Sequence, residues 1–355
     1  MAKIIQTVNE IAQLLQSGFS DWEQFGHVYT KQLCDLFIFN YSAKAVFSGD
    51  WNFFECVSRG LIINRNTGEI VARPFDKFFN WGESDRITLS PIVTITEKMD
   101  GSLGILYRVD GVYRIATRGS FDGEQAQWAT SFLDKYDFTD LSNELTLLFE
   151  IIYPENRIVV DYGGYSGLIL LAARNRFTGE YLPFDEVIKL GKQYSLTLPP
   201  MFSFSDINAI IDSMDDLENA EGYVVEFADG QRFKFKSKRY FELHRMLSNL
   251  SFKSVLREIQ NGTIDAFLET VPDEFLGDVN KWIDIIISTV ESVLIDVKSA
   301  FNLAPTRTRK EFAQWVAVNH KDLAKYLFAK FDGKPIRPIV YKCYDWDLLR
   351  KEMNK

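Results

Sequence analysis

The chain has only three cysteines and three histidines among its 355 residues. Cys34, Cys56 and Cys343 are odd in number, far apart and without CxxC spacing, while His27, His244 and His320 stand alone. Neither a disulfide framework nor a structural zinc site is readable from them. Long apolar runs are missing as well. The most apolar stretch, Trp282 to Val297, is cut by Asp284, Glu291 and Asp296, well short of the roughly eighteen uncharged residues a membrane-spanning helix needs. From Met1 to Ser17, Lys3, Glu10 and several glutamines alternate with apolar residues. This is not the apolar core of a signal peptide, so a cytoplasmic location is expected. Internal repeats and low-complexity segments are absent, and the net charge of -9 excludes a generally basic nucleic-acid coat.

What is present is the composition of a large globular protein, 46% hydrophobic and 25% charged, with enough chain for two domains. The charge is uneven. Residues 298 to 355 hold 13 Lys+Arg against 6 Asp+Glu, a balance of +7, which leaves 27 against 43, or -16, for the rest. A basic segment therefore sits on an acidic body, either as a solvated helical face or as a surface for a polyanion.

Residues 1 to about 35 read as helical, with Ile4, Val8, Ile11 and Leu15 on one stripe. Short strand-like runs follow at 61–63, 70–72, 92–96, 103–109, 112–117, 145–153, 168–173, 223–227 and 232–236. Asp110-Gly111 and Asp229-Gly230 are hairpin turn signals between neighbouring runs. Hairpins rather than βαβ crossovers imply an antiparallel α+β core. Beyond about Tyr240 the period becomes helical: Ile286, Val290, Val293 and Val297 share a face, as do Phe312, Trp315 and Val316. The expected boundary lies at residue 243, between an α+β domain (1–243) and an all-helical C-terminal domain (244–355).

The most informative segment is Glu97-Lys98-Met99-Asp100-Gly101-Ser102, a Lys-x-Asp-Gly between two strands. By itself it could be a surface turn. Its order among other segments carries more weight. Phe149-Glu150 ends an apolar strand, Glu221-Gly222-Tyr223 opens a later one, and Phe233-Lys234-Phe235-Lys236 closes the hairpin behind it. Strand alternation places Lys234 and Lys236 on one face and the two phenylalanines on the other. Two ammoniums on one face call for an anion, unless the strand is an edge with its lysines in water.

This order resembles the covalent nucleotidyltransferase superfamily of RNA and DNA ligases and capping enzymes. It is most similar to the bacteriophage T4 RNA ligase 1 family, over residues 39 to about 265. Ser58-Arg59-Gly60, Arg73-Pro74-Phe75-Asp76-Lys77-Phe78-Phe79-Asn80, Pro154-x-Asn156-Arg157-Ile158-Val159, Thr178-Gly179-Glu180-Tyr181 and Lys234-x-Lys236-Ser237 with Tyr240 keep that family's order. The resemblance implies an antiparallel nucleotidyltransferase domain followed by helices, and an ATP-dependent enzyme joining RNA 5′-phosphate and 3′-hydroxyl ends in RNA repair. Lys98 would be the adenylated nucleophile. Arg59, Lys77, Lys234 and Lys236 would lie on the ATP phosphates, Glu150 on the ribose, and Glu221 beside the metal, Mg²⁺ or Mn²⁺. Asp100, Gly101, Arg118 and Tyr240 belong to the same implied nucleotide-binding set. Asp265, in Asn261-Gly262-Thr263-Ile264-Asp265, matches a metal-associated aspartate through a weaker stretch, a helix-surface aspartate being the competing reading. Two departures stand out. Phe39 occupies a place where the family commonly has Tyr, so a nucleotide hydrogen bond is expected to be missing, and Arg118 replaces a lysine. The family's setting implies cleaved tRNA as substrate and, for a phage protein, the host cytoplasm. The competing functions are a DNA ligase or capping enzyme, which usually continue into a small β-barrel, and a catalytically silent RNA-end-binding protein.

Physical chemistry sets a requirement on these roles. A lysine attacks phosphorus only as the free amine, so its pKa must fall from about 10.4 toward 7 or 8. One cation at about 5 Å contributes roughly 3 kcal/mol at an effective dielectric near 20, or about two pKa units. Lys234 or Lys236 beside Lys98 is the expected source.

Overall fold

The structure is a computed structural model that describes residues 4–247, 250–305, 308–346 and 348–349. The chain divides into two compact units, residues 1–248 and 249–355. The first is mixed, with strands β1 (Val28–Leu33), β2 (Leu36–Tyr41), β3 (Arg59–Asn64), β4 (Ile70–Ala72), β5 (Phe79–Asn80), β6 (Ile92–Glu97), β7 (Ser102–Val109), β8 (Val112–Ala116), β9 (Leu145–Ile152), β10 (Gly167–Asn175), β11 (Gly222–Phe227) and β12 (Arg232–Lys236). Its helices are α1 (Val8–Gln16), α2 (Ala43–Ser48), α3 (Phe53–Val57), α4 (Glu124–Phe132), α5 (Phe184–Tyr194), α6 (Ile207–Ser213) and α7 (Lys238–Leu247). The strands form three sheets ordered β1-β2-β3-β4, β10-β9-β7-β8 and β5-β12-β11-β6. Every pairing is antiparallel except that of β12 with the two-residue β5. The helical reading of residues 1 to 35 holds only for α1, since Val28–Leu33 is a strand paired with β2. Tyr29, Thr30, Lys31 and Gln32 carry no helical apolar period, and pairing with the apolar β2 decides their conformation.

Side-chain parity organises the layers. On the first sheet, Phe39, Leu61 and Ile63 pack beneath α1 and α3 with Val8, Ile11, Leu15 and Phe54. Its opposite face, through Leu36, Ile38 and Ile62, meets Ile105, Tyr107 and Leu148 of the second sheet. On that sheet Leu147, Phe149 and Ile151 turn the other way, under α4 and α5. Glu150 thus shares the parity of Leu148 and faces the space between sheets. In the third sheet Tyr223, Val225, Phe227, Phe233 and Phe235 form a core with Ile95 and Ile210. Lys234 and Lys236 project from the opposite face. The hairpin at Asp110 and Gly111 has positive φ at both residues, 50° and 80°, as a two-residue turn of type I′ requires.

The second unit, among the described residues, is helical: α8 (Phe252–Asn261), α9 (Ile264–Thr270), α10 (Asp273–Leu303), α11 (Arg309–Asn319), α12 (Ala324–Phe331) and α13 (Arg337–Cys343). Ile286, Val290, Val293 and Val297 of α10 form a buried stripe, and Phe312, Val316 and Leu327 are buried on α11 and α12. No described helix is long and apolar enough to cross a membrane. In the basic segment, Arg309 is paired with Asp332, and Arg337 with Glu291. Arg307 lies outside the described residues.

One ion pair fixes a functional segment onto the second sheet. Arg174 on β10 is 2% exposed, donates to both carboxylate oxygens of Asp76 at 2.9 and 2.7 Å, and also reaches the carbonyls of Pro74 and Gly179. Removing one member of such a buried network strands the other. Arg174→Ala is therefore expected to cost about 3–5 kcal/mol in urea unfolding. Arg239→Ala, which breaks an exposed pair with Glu218, should cost less than about 1 kcal/mol.

Candidate active site

Lys98, Met99, Asp100 and Gly101 form the crossover from β6 of the third sheet to β7 of the second. Lys98 is thereby carried to a point where both sheets expose polar faces. Its backbone N–H donates to the Gly222 carbonyl at 2.9 Å. Its ammonium donates to Glu221 Oε2 at 2.6 Å, and Lys236 Nζ lies 2.9 Å from Oε1 of the same carboxylate. Glu221, 2% exposed, is thus bridged by two lysines. The chain around it is held by a glycine: Gly222 has φ +144°, and a Cβ there would run into the Phe235 carbonyl of the paired strand.

Cations gather on the same side. Lys234 is partly buried, and its pKa is driven well below the usual lysine range, first by desolvation and then by Lys77, Arg59, Lys236 and Lys98. Among the described residues it forms no ion pair. Among the described residues, Arg59 Nη1 is buried without a hydrogen-bond partner. An orphaned guanidinium nitrogen beside a partly buried lysine is costly. It fits an arriving polyanion. The expected depression of a lysine pKa by neighbouring cations therefore falls most strongly on Lys234, while the Lys98 ammonium is paired with Glu221.

Glu150, on β9 opposite Leu103 of β7, is open to a little solvent yet deeply set. Burial raises its pKa to about 8; Lys98 opposes the shift, Glu221 and Asp100 add to it, and Arg59 opposes it. A carboxyl poised between its two forms near neutrality can accept or donate a hydrogen bond to a sugar hydroxyl. Gly101 packs against this strand so closely that a Cβ would lie 2.5 Å from the Ile151 carbonyl and 3.1 Å from Glu150 Cγ.

Asp100 and Tyr240 take a different part from the nucleotide contact expected of them. Asp100 Oδ2 accepts from the backbone N–H groups of Val159 and Val160 at 2.8 Å each, and Oδ1 accepts from the Tyr240 hydroxyl at 2.7 Å. Its own N–H donates to the Tyr162 hydroxyl at 2.7 Å. The carboxylate is consumed by protein donors, so Asp100 and Tyr240 position the Lys98 crossover against the 157–162 loop and α7.

Phe39 is corrected outright. It is fully buried, with its ring 4.9 Å from Trp22 and 6.4 Å from Phe54, in the core beneath α1. The ladder between β2 and β3 shifts register between Phe39 and Asn40, which breaks the alternation, and Tyr41 reaches the site instead. Its hydroxyl accepts from Arg118 Nη1 at 3.0 Å. Lys77 Nζ lies 5.1 Å from the Tyr41 ring centroid and 4.7 and 5.8 Å from those of Trp51 and Phe79. A tyrosine hydroxyl thus lies beside Arg118 and Lys77 two residues after Phe39. The signal was present in Asn40-Tyr41; Trp51 had none. Asp265 belongs to the second unit, exposed in the first turn of α9, a favourable place for an acidic side chain near a helix N-terminus. Among the described residues no cluster of three or more His, Cys, Asp or Glu could hold a metal ion. The donor set fits an ion that arrives on phosphate oxygens and takes one protein carboxylate, as Mg²⁺ commonly does.

Comparison with known proteins agrees with this arrangement. A family model described as RNA ligase, of the T4 type, matches residues 57–241, a span containing Lys98 and every other proposed phosphate or metal ligand of the first unit. A protein of the Autographa californica nuclear polyhedrosis virus that carries the name bifunctional polynucleotide kinase/RNA ligase is 29% identical over 289 residues, 68% of this chain and 40% of that protein. An RNA ligase of Rhodothermus phage RM378 is 23% identical over 390 aligned positions, 86% of this chain and 87% of that one. Another relative, from Thermovibrio ammonificans, is covered over 60% of its length; the chain thus spans about half the length of the first and last of these. A solved Naegleria gruberi RNA ligase mutant with ATP and Mn gives a TM-score of 0.35 at 21% identity, over 43% of this chain and 51% of that one. The assignment rests on the family match rather than on that superposition. The chain belongs to the T4 RNA ligase 1 family.

Two outcomes test this geometry. Phe39→Ala should destabilise the protein by about 3–5 kcal/mol, as large-to-small core changes do. Tyr41→Phe should change stability by less than about 1 kcal/mol, yet weaken ATP binding measured by calorimetry. The second outcome concerns Glu150. With the folded-state pKa near 8 and the unfolded value near 4.3, the folded protein keeps a proton that the unfolded chain releases. Stability from this group therefore falls as pH rises from about 4.5 to 8. Wild type should lose melting temperature relative to Glu150→Gln across that window; parallel curves would show that the carboxyl is not poised.

Proposed function

We propose that the chain is an ATP-dependent RNA ligase that works through a lysyl-AMP. The observation that carries this is the grouping of Lys98, Glu221 and Lys236 with the partly buried cations Lys234 and Arg59, a site charged for a polyphosphate with one nucleophile at its edge. Lys77, Arg59, Lys234 and Lys236 hold the phosphates of ATP, and Glu150 holds a ribose hydroxyl. Lys98 loses its proton and attacks the α-phosphorus; the phosphoramidate bond forms as the bond to pyrophosphate breaks. AMP then passes to the 5′-phosphate of an RNA end, and a 3′-hydroxyl displaces AMP to close the phosphodiester.

Glu221 is the residue that would hold Mg²⁺ or Mn²⁺ when the ion is bound, and the ion's chemistry is to neutralise developing charge on the phosphate. With Glu221 engaged by such an ion, Lys98 and Lys236 would no longer share that carboxylate and would face the substrate. Arg118 and Tyr41 steady Lys77 at the far end of the phosphate run. The adenylyl-transfer domain is the first unit, residues 1–248, rather than ending at 243, which falls inside α7, and the helical second unit positions RNA through the basic stretch from Lys298. The reading includes repair of cleaved tRNA in the cytoplasm, that of the host for a phage-encoded enzyme.

The test is transfer of label from α-labelled ATP. Wild type should become labelled, and Lys98→Ala should not, while still sealing a pre-adenylated RNA end at a measurable rate. A Lys98→Ala protein labelled at the wild-type rate would overturn the assignment. A wild type that binds RNA ends but never takes label would mark the chain as a silent end-binding protein.

A further inference from the structure

Beside the nucleotide site, along the short β5 edge of the third sheet, lies a cleft of about 370 Å³ lined by Asp76, Lys77, Phe79, Arg86, Tyr181 and Arg232 among others. Its size falls in the range of small-molecule pockets. Three of these lining side chains are cations and one is a carboxylate. That carboxylate, Asp76, is held on both oxygens by Arg174. Nearby Glu83 accepts from the backbone and side-chain nitrogens of Asn80 at 3.0 and 2.8 Å, and Glu226 is paired with Arg232 at 2.8 Å. Arg86 forms no ion pair among the described residues. Its guanidinium lies 4.0 Å from the centroid of the Phe79 ring.

Cations and aromatic rings alternate from the nucleotide site into this cleft. Arg118 contacts Tyr41, Lys77 is surrounded by Tyr41, Trp51 and Phe79, and Arg86 covers Phe79. Farther in, Arg232 lies 3.8 Å from the Tyr181 ring centroid. Charge for phosphates interleaved with planar surfaces for bases is how proteins hold single-stranded nucleic acid. A nucleoside triphosphate alone does not need it, because of the proposed phosphate ligands only Lys77 lines the cleft.

We propose that this cleft binds the terminal nucleotides of a single-stranded RNA end, with Arg86 on a backbone phosphate. The inference rests on the ligase reading and extends it: the first unit itself grips substrate RNA, at a place that shares only Lys77 with the ATP contacts. Lys77 then stands at the junction of the two ligands, one strand end on one side and the polyphosphate on the other.

The experiment uses the full-length protein, a fluorescein-labelled single-stranded RNA with a 5′-phosphate, and anisotropy titrations at several salt concentrations. Arg86→Ala should raise Kd about tenfold and reduce the slope of log K against log salt by about 0.7, the loss of one single-strand phosphate contact. Arg86→Lys should keep the slope and recover part of the affinity, since it retains the charge but not the planar stack. Labelling of Lys98 by ATP should proceed at the wild-type rate in both variants. Unchanged Kd and slope in a folded Arg86→Ala protein would overturn the proposal, as would a raised KM for ATP with unchanged RNA affinity. If wild type fails to label at Lys98 yet Arg86→Ala still weakens RNA binding, the ligase reading falls and the cleft stands.

Discussion

Like charges packed together with little access to water are the constraint on which this molecule depends. Lys234 is surrounded by Lys77, Arg59, Lys236 and Lys98, and Lys98 and Lys236 share Glu221 at close range. Burying that much positive charge is unfavourable unless an anion completes it. The protein tolerates the cost by letting Lys234 shed its proton readily and by spreading Glu221 over two ammoniums. A polyphosphate would reverse both effects, which makes the site a receptor for one.

The fold supplies the convergence through parity and one crossover. Aromatic and aliphatic residues at alternate positions of β11 and β12 anchor the third sheet on its core, which forces Lys234 and Lys236 to the other face. The same rule turns Glu150 toward the gap between sheets. Lys98 bridges the two sheets, and Asp100 holds the bridge by accepting three hydrogen bonds from elements distant in sequence. Rigid placement of a nucleophile by groups that never touch substrate is a general requirement for reactions that gain from orientation.

Much of this was legible in the residues themselves. Alternation in Phe233-Lys234-Phe235-Lys236 reports which face carries charge, and Asp110-Gly111 reports a hairpin, because both depend on neighbours in the chain. Phe39 was misread because a register shift between strands is a tertiary event: nothing local announces that alternation fails at Asn40. The strand at Val28–Leu33 was missed for a related reason, its conformation being imposed by β2. Asp100 presents the letters of a ligand motif, yet its partners, Val159, Val160 and Tyr240, lie about 60 and 140 residues away. Trp51 and Arg86 match no pattern at all, and only the packing around Lys77 and Phe79 reveals them.

The claim that these cations are built around an absent anion is tested most directly by thermal unfolding during titration with inorganic pyrophosphate. A ligand that binds only the folded state raises stability in proportion to RT ln(1 + [L]/Kd). Wild type should show a saturable rise in Tm. Lys234→Met should be at least as stable as wild type without ligand, having lost a buried amine among cations, and should gain far less from pyrophosphate. A wild-type Tm indifferent to pyrophosphate, or a Lys234→Met protein that is less stable yet gains as much, would contradict the account.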